Sequence, residues 1–351
     1  MSPQTWGRRG SGGSVMARAS GASIASVAVI GAGPCGLGAA IALKQAGIRA
    51  VVYDRSCVTS SIASYPTYMT FFSTAEKISI GGLPFVTAGE KPTRREALAY
   101  YRMVVQYFNL VLRLYEPVLG IVRDGEHYVV RSRTPRGEVE TPFEAVVVAT
   151  GYFGTPNLLN VPGESLPHVT HLYHEGHDAF RRDVVVVGGG NSAVDAALDL
   201  WRCGAKVTLV HFRERLDENV KPWVLPDITN RLADGSITPV WSSRVTRIEA
   251  DTLTIDGASG PQSLRANHVY VMTGFTPSTV LLQQLGVSID AQTGIPAHDR
   301  STMETDVDRV FVAGVLASGN DANKVFIENG RGHGALIARR LGAGRPVAAH
   351  G

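Results

Sequence analysis

The chain is predicted to be an α/β protein with two parallel-sheet domains, and two repeated patterns carry that prediction. First, an apolar strand, a glycine-rich turn, a helix and a second strand follow one another twice, over 26–54 and again over 184–212. Second, each unit is followed by another apolar strand that ends in Thr-Gly, at 146–151 and at 269–274. Strands that are apolar without alternation are buried on both faces, as parallel sheets require.

Taken in order, residues 1–23 are rich in Gly, Ser and Arg, lack a core-forming pattern and are expected to be a disordered tail, with Met16 as an alternative start. Arg8-Arg9 does not read as an export signal, because the next apolar run is the first strand of a folded unit. That strand, 26–30, runs into Gly31-Ala32-Gly33-Pro34-Cys35-Gly36; an Ala-rich helix follows to Ala46, is stopped by Gly47, and gives way to a strand over 50–53 ending in Asp54. Thr93-Arg94-Arg95-Glu96 is a capping box that should start a helix running to about Tyr107. Antiparallel strands are expected between Arg113 and Glu144, with turns at Asp124-Gly125 and Pro135-Arg136-Gly137. The second unit runs from Val184 through Gly188-Gly189-Gly190-Asn191-Ser192-Ala193 into a helix ending at Cys203 and Gly204, then a strand over 207–212. Pro156, Pro162 and Gly163 mark a crossing between domains and Pro277 marks the return. Residues 310–314 read as one more buried strand, and Asn323 begins a helix through Glu328. The expected organisation is a tail over 1–23, a first domain over 24–156, an inserted second domain over 157–277, and the rest of the first domain over 278–351.

Composition narrows the classes of function. At 351 residues, with 44% hydrophobic and 19% charged residues, the chain can bury two cores. A net charge of +3 is small for this length and points to neither nucleic acid nor a membrane surface as partner. No run of apolar residues is long enough to span a bilayer. Three scattered cysteines, Cys35, Cys57 and Cys203, make neither a disulfide framework nor a zinc site, and a reducing cytoplasm fits them best.

The glycine turns state the chemistry. In the first, Gly31 permits the tight turn, Gly33 lets backbone approach a pyrophosphate, Gly36 lets helix and strand pack closely, and Pro34 opens the helix. Phosphates then sit on free helix amides, and Asp54 is placed to hydrogen-bond a ribose hydroxyl. In the second, Gly188, Gly190, Asn191 and Ser192 repeat the pattern with Ala193 at the third position. Its following strand ends in His211-Phe212-Arg213-Glu214-Arg215, without an acid at the ribose position. A carboxylate would repel a 2′-phosphate where a guanidinium grips it, so Arg213 or Arg215 points to NADPH there and Asp54 points to FAD at the first turn. Thr150, Gly151, Thr273, Gly274, Gly314, Lys324, Phe326 and Ile327 complete the expected cofactor-binding set, together with His211. A helix beginning at Asn323 would aim its positive end at the flavin.

These motifs, in this order, resemble the two-domain reductases typified by low-molecular-weight thioredoxin reductase, with an NADPH domain inserted into a discontinuous FAD domain. The resemblance runs from Val27 to Ala338. More specifically, the first glycine turn, Tyr65-Pro66-Thr67-Tyr68-Met69-Thr70-Phe71-Phe72-Ser73-Thr74, Lys91-Pro92-Thr93-Arg94-Arg95-Glu96-Ala97 and Phe326-Ile327-Glu328-Asn329-Gly330-Arg331 resemble the bacillithiol-disulfide reductase family. That resemblance implies NADPH-dependent reduction, through FAD, of the oxidised low-molecular-weight thiol bacillithiol. A small-molecule disulfide partner and a homo-oligomer are expected.

Two departures matter. Where thioredoxin reductases carry Cys-x-x-Cys, this chain has His171-Leu172-Tyr173-His174-Glu175-Gly176-His177, which removes a dithiol relay. The usual Gly-Asp near the C-terminus is Gly314-Val315, so the ribityl chain must find its hydrogen bond elsewhere. Cys35 is then the one thiol on the expected cofactor path. A helix N-terminus would stabilise its thiolate for attack on a disulfide, and packing beneath the pyrophosphate is its other reading. Cys57 and Cys203 read as structural. The three histidines at 171, 174 and 177 lack the partners of a metal site, and one of them offers a proton donor. A flavin monooxygenase, a ferredoxin-NADP-type reductase and a flavin redox sensor are the rival functions.

Overall fold

A computed structural model describes residues 25–258, 260–322 and 324–343. The expected tail, with Met16 and Arg8-Arg9, lies outside the described residues, as does Asn323.

The strand Ala25–Ile30 sits inside a seven-stranded sheet, parallel to Ala50–Tyr53 on one side and to the end of Gly137–Val148 on the other. Val27 lies opposite Ala50 and Ala145, and these strands are apolar throughout because both sheet faces are covered. The expected antiparallel segment is present as Val118–Asp124, His127–Thr134 and Gly137–Val148, with Gly125 and Gly137 taking φ of 61° and 123° in the connections. Gly137–Val148 serves two sheet regions at once. Its first half pairs antiparallel with His127–Thr134, and its last residues pair parallel with Val310–Val312. The strand that returns late in the chain therefore completes the first sheet.

The helix Pro34–Gln45 ends at Ala46, and Gly47 turns away with φ 71°. Its Ala-rich composition follows from being covered twice, by the sheet and by the helix His333–Gly342. At Gly334 an added Cβ would come within 2.5 Å of Ala39 Cα, so the two helix backbones touch. The helix Arg94–Tyr107 starts as expected, with Glu96 N donating to Thr93 Oγ1 at 3.2 Å and Thr93 N donating to Glu96 Oε2 at 2.8 Å.

The second domain repeats the scheme with a five-stranded parallel sheet ordered Ile237–Val240, Lys206–Val210, Asp183–Val187, His268–Val271, Val169–Thr170. Val184 and Val186 pack under the helix Asn191–Arg202, while Val185 and Val187 face the other way. On that second face they meet a three-stranded antiparallel sheet, Arg244–Ile248, Thr252–Asp256 and Gln262–Arg265. The strand expected over 207–212 stops at Val210, because His211 and Phe212 turn out into the loop beside the second glycine turn.

The two crossings between sheets lie side by side: Thr155–Pro156 pairs antiparallel with Phe275–Thr276. Asn157 locks the pair, its amide nitrogen donating to Thr273 O at 3.1 Å and its Oδ1 accepting from Thr276 Oγ1 at 2.6 Å. Among the described residues no helix is long and apolar enough to cross a membrane.

Candidate active site

Both glycine turns open onto one cleft of about 1530 Å³ whose walls come from both domains. At the first turn the glycines divide their tasks as the spacing implies. Gly31, at φ 115°, would place a Cβ 2.3 Å from Ala149 O, and Gly36 would place one 2.0 Å from Gly31 O. Gly33 faces open space, with nothing within 4 Å of its would-be Cβ. A bound pyrophosphate needs that arrangement: a bare backbone at the middle glycine and close packing at the outer two. Gly33 is also the N-cap of the helix that begins at Pro34, so free amides face the same space.

Asp54 has a bracing role besides the expected one. Its Oδ2 accepts from Ala32 N and its Oδ1 from Ser56 N, both at 2.8 Å. These bonds fix the turn to the end of the second strand, and Asp54 also borders the cleft. Thr150 and Gly151 border the same space.

The second turn is built alike. Gly188, at φ 143°, lies against Met272 O, and Gly190 is the N-cap of Asn191–Arg202. Ala193 is buried beneath the turn, as its tolerance for a methyl group implies. Asn191 is occupied with the protein itself, accepting from Lys221 N at 2.8 Å and donating to Asn219 O at 3.0 Å. Ser192 at the helix start faces the cleft, and Thr273 and Gly274 border it from the crossing ribbon. His211 is packed under Gly189 and buried. Burial pushes its pKa down, leaving a neutral ring at the edge of the cleft. Its Nε2 lies 3.5 Å from Asp217 Oδ1, which ties the ring to the loop that follows the second turn.

Some expected residues stand elsewhere. Arg213 pairs with Asp217 at 3.1 Å and Arg215 with Glu218 at 3.2 Å, and neither borders the cleft. Lys324 points away from it too, 3.5 Å from Asp321. Phe326 and Ile327 do border it, but the helix expected from Asn323 begins only at Ile327 and ends at Gly330. Gly330 cannot carry a side chain, since an added Cβ would lie 2.8 Å from Cys35 Sγ, and the chain restarts as a separate helix at His333. A four-residue helix supplies no appreciable dipole at the flavin site. Gly314, at φ 73°, donates its amide to His333 Nδ1 at 3.2 Å, so a histidine steadies the turn where an Asp was missed.

Of the two readings of Cys35, the structure bears on the balance between them without testing its role. Its Sγ is packed against Gly314 and Gly330, and burial pushes its thiol up to about 12, the opposite of the lowering expected at a helix N-terminus. Desolvation outweighs the helix amides here. His171 is held by Glu164, Nε2 to Oε1 3.0 Å, and the backbone of His174 accepts from Thr67 N of the first domain at 3.1 Å.

Sequence reasoning missed a bridge across the cleft. The segment 65–74 of the first domain reaches the second, where Phe72 packs on Trp223 with ring centroids 5.3 Å apart. Lys221 and Lys91 lie over the same indole at 5.9 and 5.7 Å. Tyr68 lies beside Asp199 on the helix Asn191–Arg202. None of these pairs is adjacent in sequence, and no local pattern announces them.

Two dinucleotide-shaped turns facing one interdomain cleft define a pyridine-nucleotide-dependent flavoprotein oxidoreductase. The sequence profile of the pyridine nucleotide-disulphide oxidoreductases matches residues 28–314. Bacilliredoxin reductase Bdr of Bacillus subtilis (strain 168) is 43% identical over 314 residues, covering 89% of this chain and 96% of that protein. The structure of bacillithiol disulfide reductase Bdr from Bacillus cereus superimposes with a TM-score of 0.89 at 41% identity, covering 92% of this chain and 99% of that one. Thioredoxin reductase of Lactococcus lactis shares the fold at a TM-score of 0.71 and 19% identity. The chain belongs to the pyridine nucleotide-disulphide oxidoreductases and, within them, to the Bdr family. It is an enzyme that uses FAD and NADPH.

Proposed function

We propose that the enzyme reduces the disulfide of a low-molecular-weight thiol, bacillithiol disulfide first among candidates, at the expense of NADPH. The observation that carries this reading is the 43% identity, over nearly the whole of both chains, to a bacilliredoxin reductase. FAD, held at the first glycine turn, would supply the two-electron chemistry that links NADPH, held at the second, to the disulfide. The reaction balances as NADPH, one proton and one disulfide giving NADP⁺ and two thiols.

The residues then have distinct tasks. The Gly31-to-Gly36 turn and its helix hold the FAD pyrophosphate, and Asp54 holds its ribose while bracing the turn. The Gly188-to-Ala193 turn and Ser192 hold the NADPH pyrophosphate. Thr150, Gly151, Thr273 and Gly274 set the distance between the two sites, because all four flank the crossing ribbon. Cys35 lines the cleft with its Sγ packed against Gly314 and Gly330, and burial favours its protonated form, so it is assigned to the wall of the cleft and the acceptor disulfide to direct reduction.

NADPH consumption by the purified holoenzyme tests the substrate, with bacillithiol disulfide, glutathione disulfide, a disulfide-loaded bacilliredoxin and oxygen alone as arms. Turnover with bacillithiol disulfide or the bacilliredoxin well above the oxygen background is expected. Equal rates in all arms would remove the thiol assignment and favour an oxygen-using relative. Cys35→Ala is expected to retain disulfide-dependent turnover, and its loss would restore the thiol to the catalytic path. Homo-oligomeric assembly and a cytoplasmic site of action belong to the same proposal, and light scattering and cell fractionation check them.

A further inference from the structure

The two arginines nearest the second glycine turn in sequence are both engaged elsewhere, which leaves the 2′-phosphate of NADPH without an assigned partner. Arg244 borders the cleft near that turn. It opens the strand Arg244–Ile248, and its guanidinium lies over the Phe212 ring, 4.7 Å from the centroid. Arg244 and Phe212 border the cleft together with Gly189, Gly190 and His211. Among the described residues the Arg244 side chain makes no hydrogen bond or ion pair, although Asp256 stands opposite it in the strand register. Arg213 also touches Phe212, at 5.2 Å, but its charge is met by Asp217.

The backbone fixes this placement. His211 N donates to Val240 O at 2.9 Å, Ser243 N to His211 O at 3.1 Å, and Ser242 N to Arg213 O at 2.9 Å. The segments 211–213 and 240–243 are thus laced together beside the turn, and the next residue, Arg244, emerges over Phe212. A guanidinium stacked on an aromatic face is oriented in advance and keeps its in-plane donors for a phosphate.

We propose that Arg244, oriented by Phe212, is the residue that recognises the 2′-phosphate and so selects NADPH over NADH. The inference rests on NADPH use by the second domain. Calorimetric titration of the FAD-loaded enzyme with adenosine 2′,5′-bisphosphate and with 5′-AMP tests it without turnover. Wild-type enzyme is expected to prefer the bisphosphate, Arg244→Ala and Arg244→Gln to lose roughly 10- to 100-fold of that preference, and affinity for 5′-AMP to stay within about threefold. Arg213→Ala and Arg215→Ala are expected to change the preference by less than about threefold. Retained preference in both Arg244 variants would overturn the assignment, and so would an equal loss for both ligands, which marks adenine stacking. A wild-type enzyme with no preference would instead overturn NADPH use itself, a separate failure.

Discussion

Asp195 offers a quantitative test of the cleft's electrostatics. It lies one turn into the helix after the second glycine turn, faces the cleft, and is pushed up to about 6 by burial, with Arg202 opposing the shift. The ordinary carboxyl value is 3.8, so ionising it in the folded enzyme costs up to about 3 kcal/mol more than in the unfolded chain, at ~1.36 kcal/mol per tenfold. The side chain is only partly buried, and solvent screening reduces this to about 1–2 kcal/mol. Between 3.8 and about 6 the folded state binds more protons than the unfolded state, so this group's contribution to stability falls as pH rises through that window and stays low above it. Asp195→Asn keeps the shape and removes the charge. It should therefore stabilise the enzyme by about 1–2 kcal/mol at about pH 8 and by much less at about pH 4.5. Urea unfolding followed by tryptophan emission reports on the right domain, because Trp201, Trp223 and Trp241 all lie in it. A variant no more stable than wild type at the higher pH, or a stabilisation equal at both, would refute the reasoning.

The two glycine roles separate cleanly by mutation. Gly33→Ala should give a folded protein of nearly wild-type stability with weakened FAD binding, since only a bound pyrophosphate would meet the methyl group, whereas Gly36→Ala should fail to fold or to bind because its Cβ strikes Gly31 O; flavin absorbance after gel filtration and circular dichroism distinguish the outcomes. Thr93→Ala removes the capping box of Arg94–Tyr107 and should cost about 1 kcal/mol in urea unfolding, with flavin occupancy unchanged. Asn157→Ala should loosen the crossing ribbon, raising amide hydrogen exchange at 155, 157 and 273–276 while strands inside each sheet stay protected.

What the sequence made legible is local. Gly31, Gly33 and Gly36 constrain one another within a single turn, and Thr93 and Glu96 satisfy each other's backbone, so spacing alone predicts both. The strand ending at Val210 and the short helix at Ile327 were misjudged because their limits come from neighbours distant in sequence: His211 is drawn out by its packing under Gly189, and Gly330 is pinned by Cys35 and Gly314. Asp217 and Arg244 escaped notice for the same reason. Only the lacing of 211–213 to 240–243 brings an arginine over Phe212, and no periodicity encodes a partner some thirty residues on. For Cys35 the helix N-terminus is visible in sequence, while the packing of its Sγ against Gly314 and Gly330, which favours the protonated thiol, is not.

The segments that resemble the Bdr family make no dinucleotide turn of their own beyond the first, yet they converge. Arg94 N donates to Met69 O at 2.8 Å and Phe71 N to Pro92 O at 2.9 Å, joining the segments around 65–74 and 91–97. Ser73 Oγ donates to Glu328, and Arg331 donates to Glu76 O at 2.7 Å and Ser79 Oγ at 3.0 Å, joining the C-terminal segment to the same wall. Glycine turns of this kind hold a dinucleotide in any enzyme that carries them, and they say little about the acceptor. The segments that carry the resemblance brace one another and, through Phe72, touch the second domain. Residues so connected act as a unit, so substitutions among them will not add. A single exchange such as Phe72→Ala therefore perturbs the contact between domains as well as its own segment, and its effect should be read together with its neighbours.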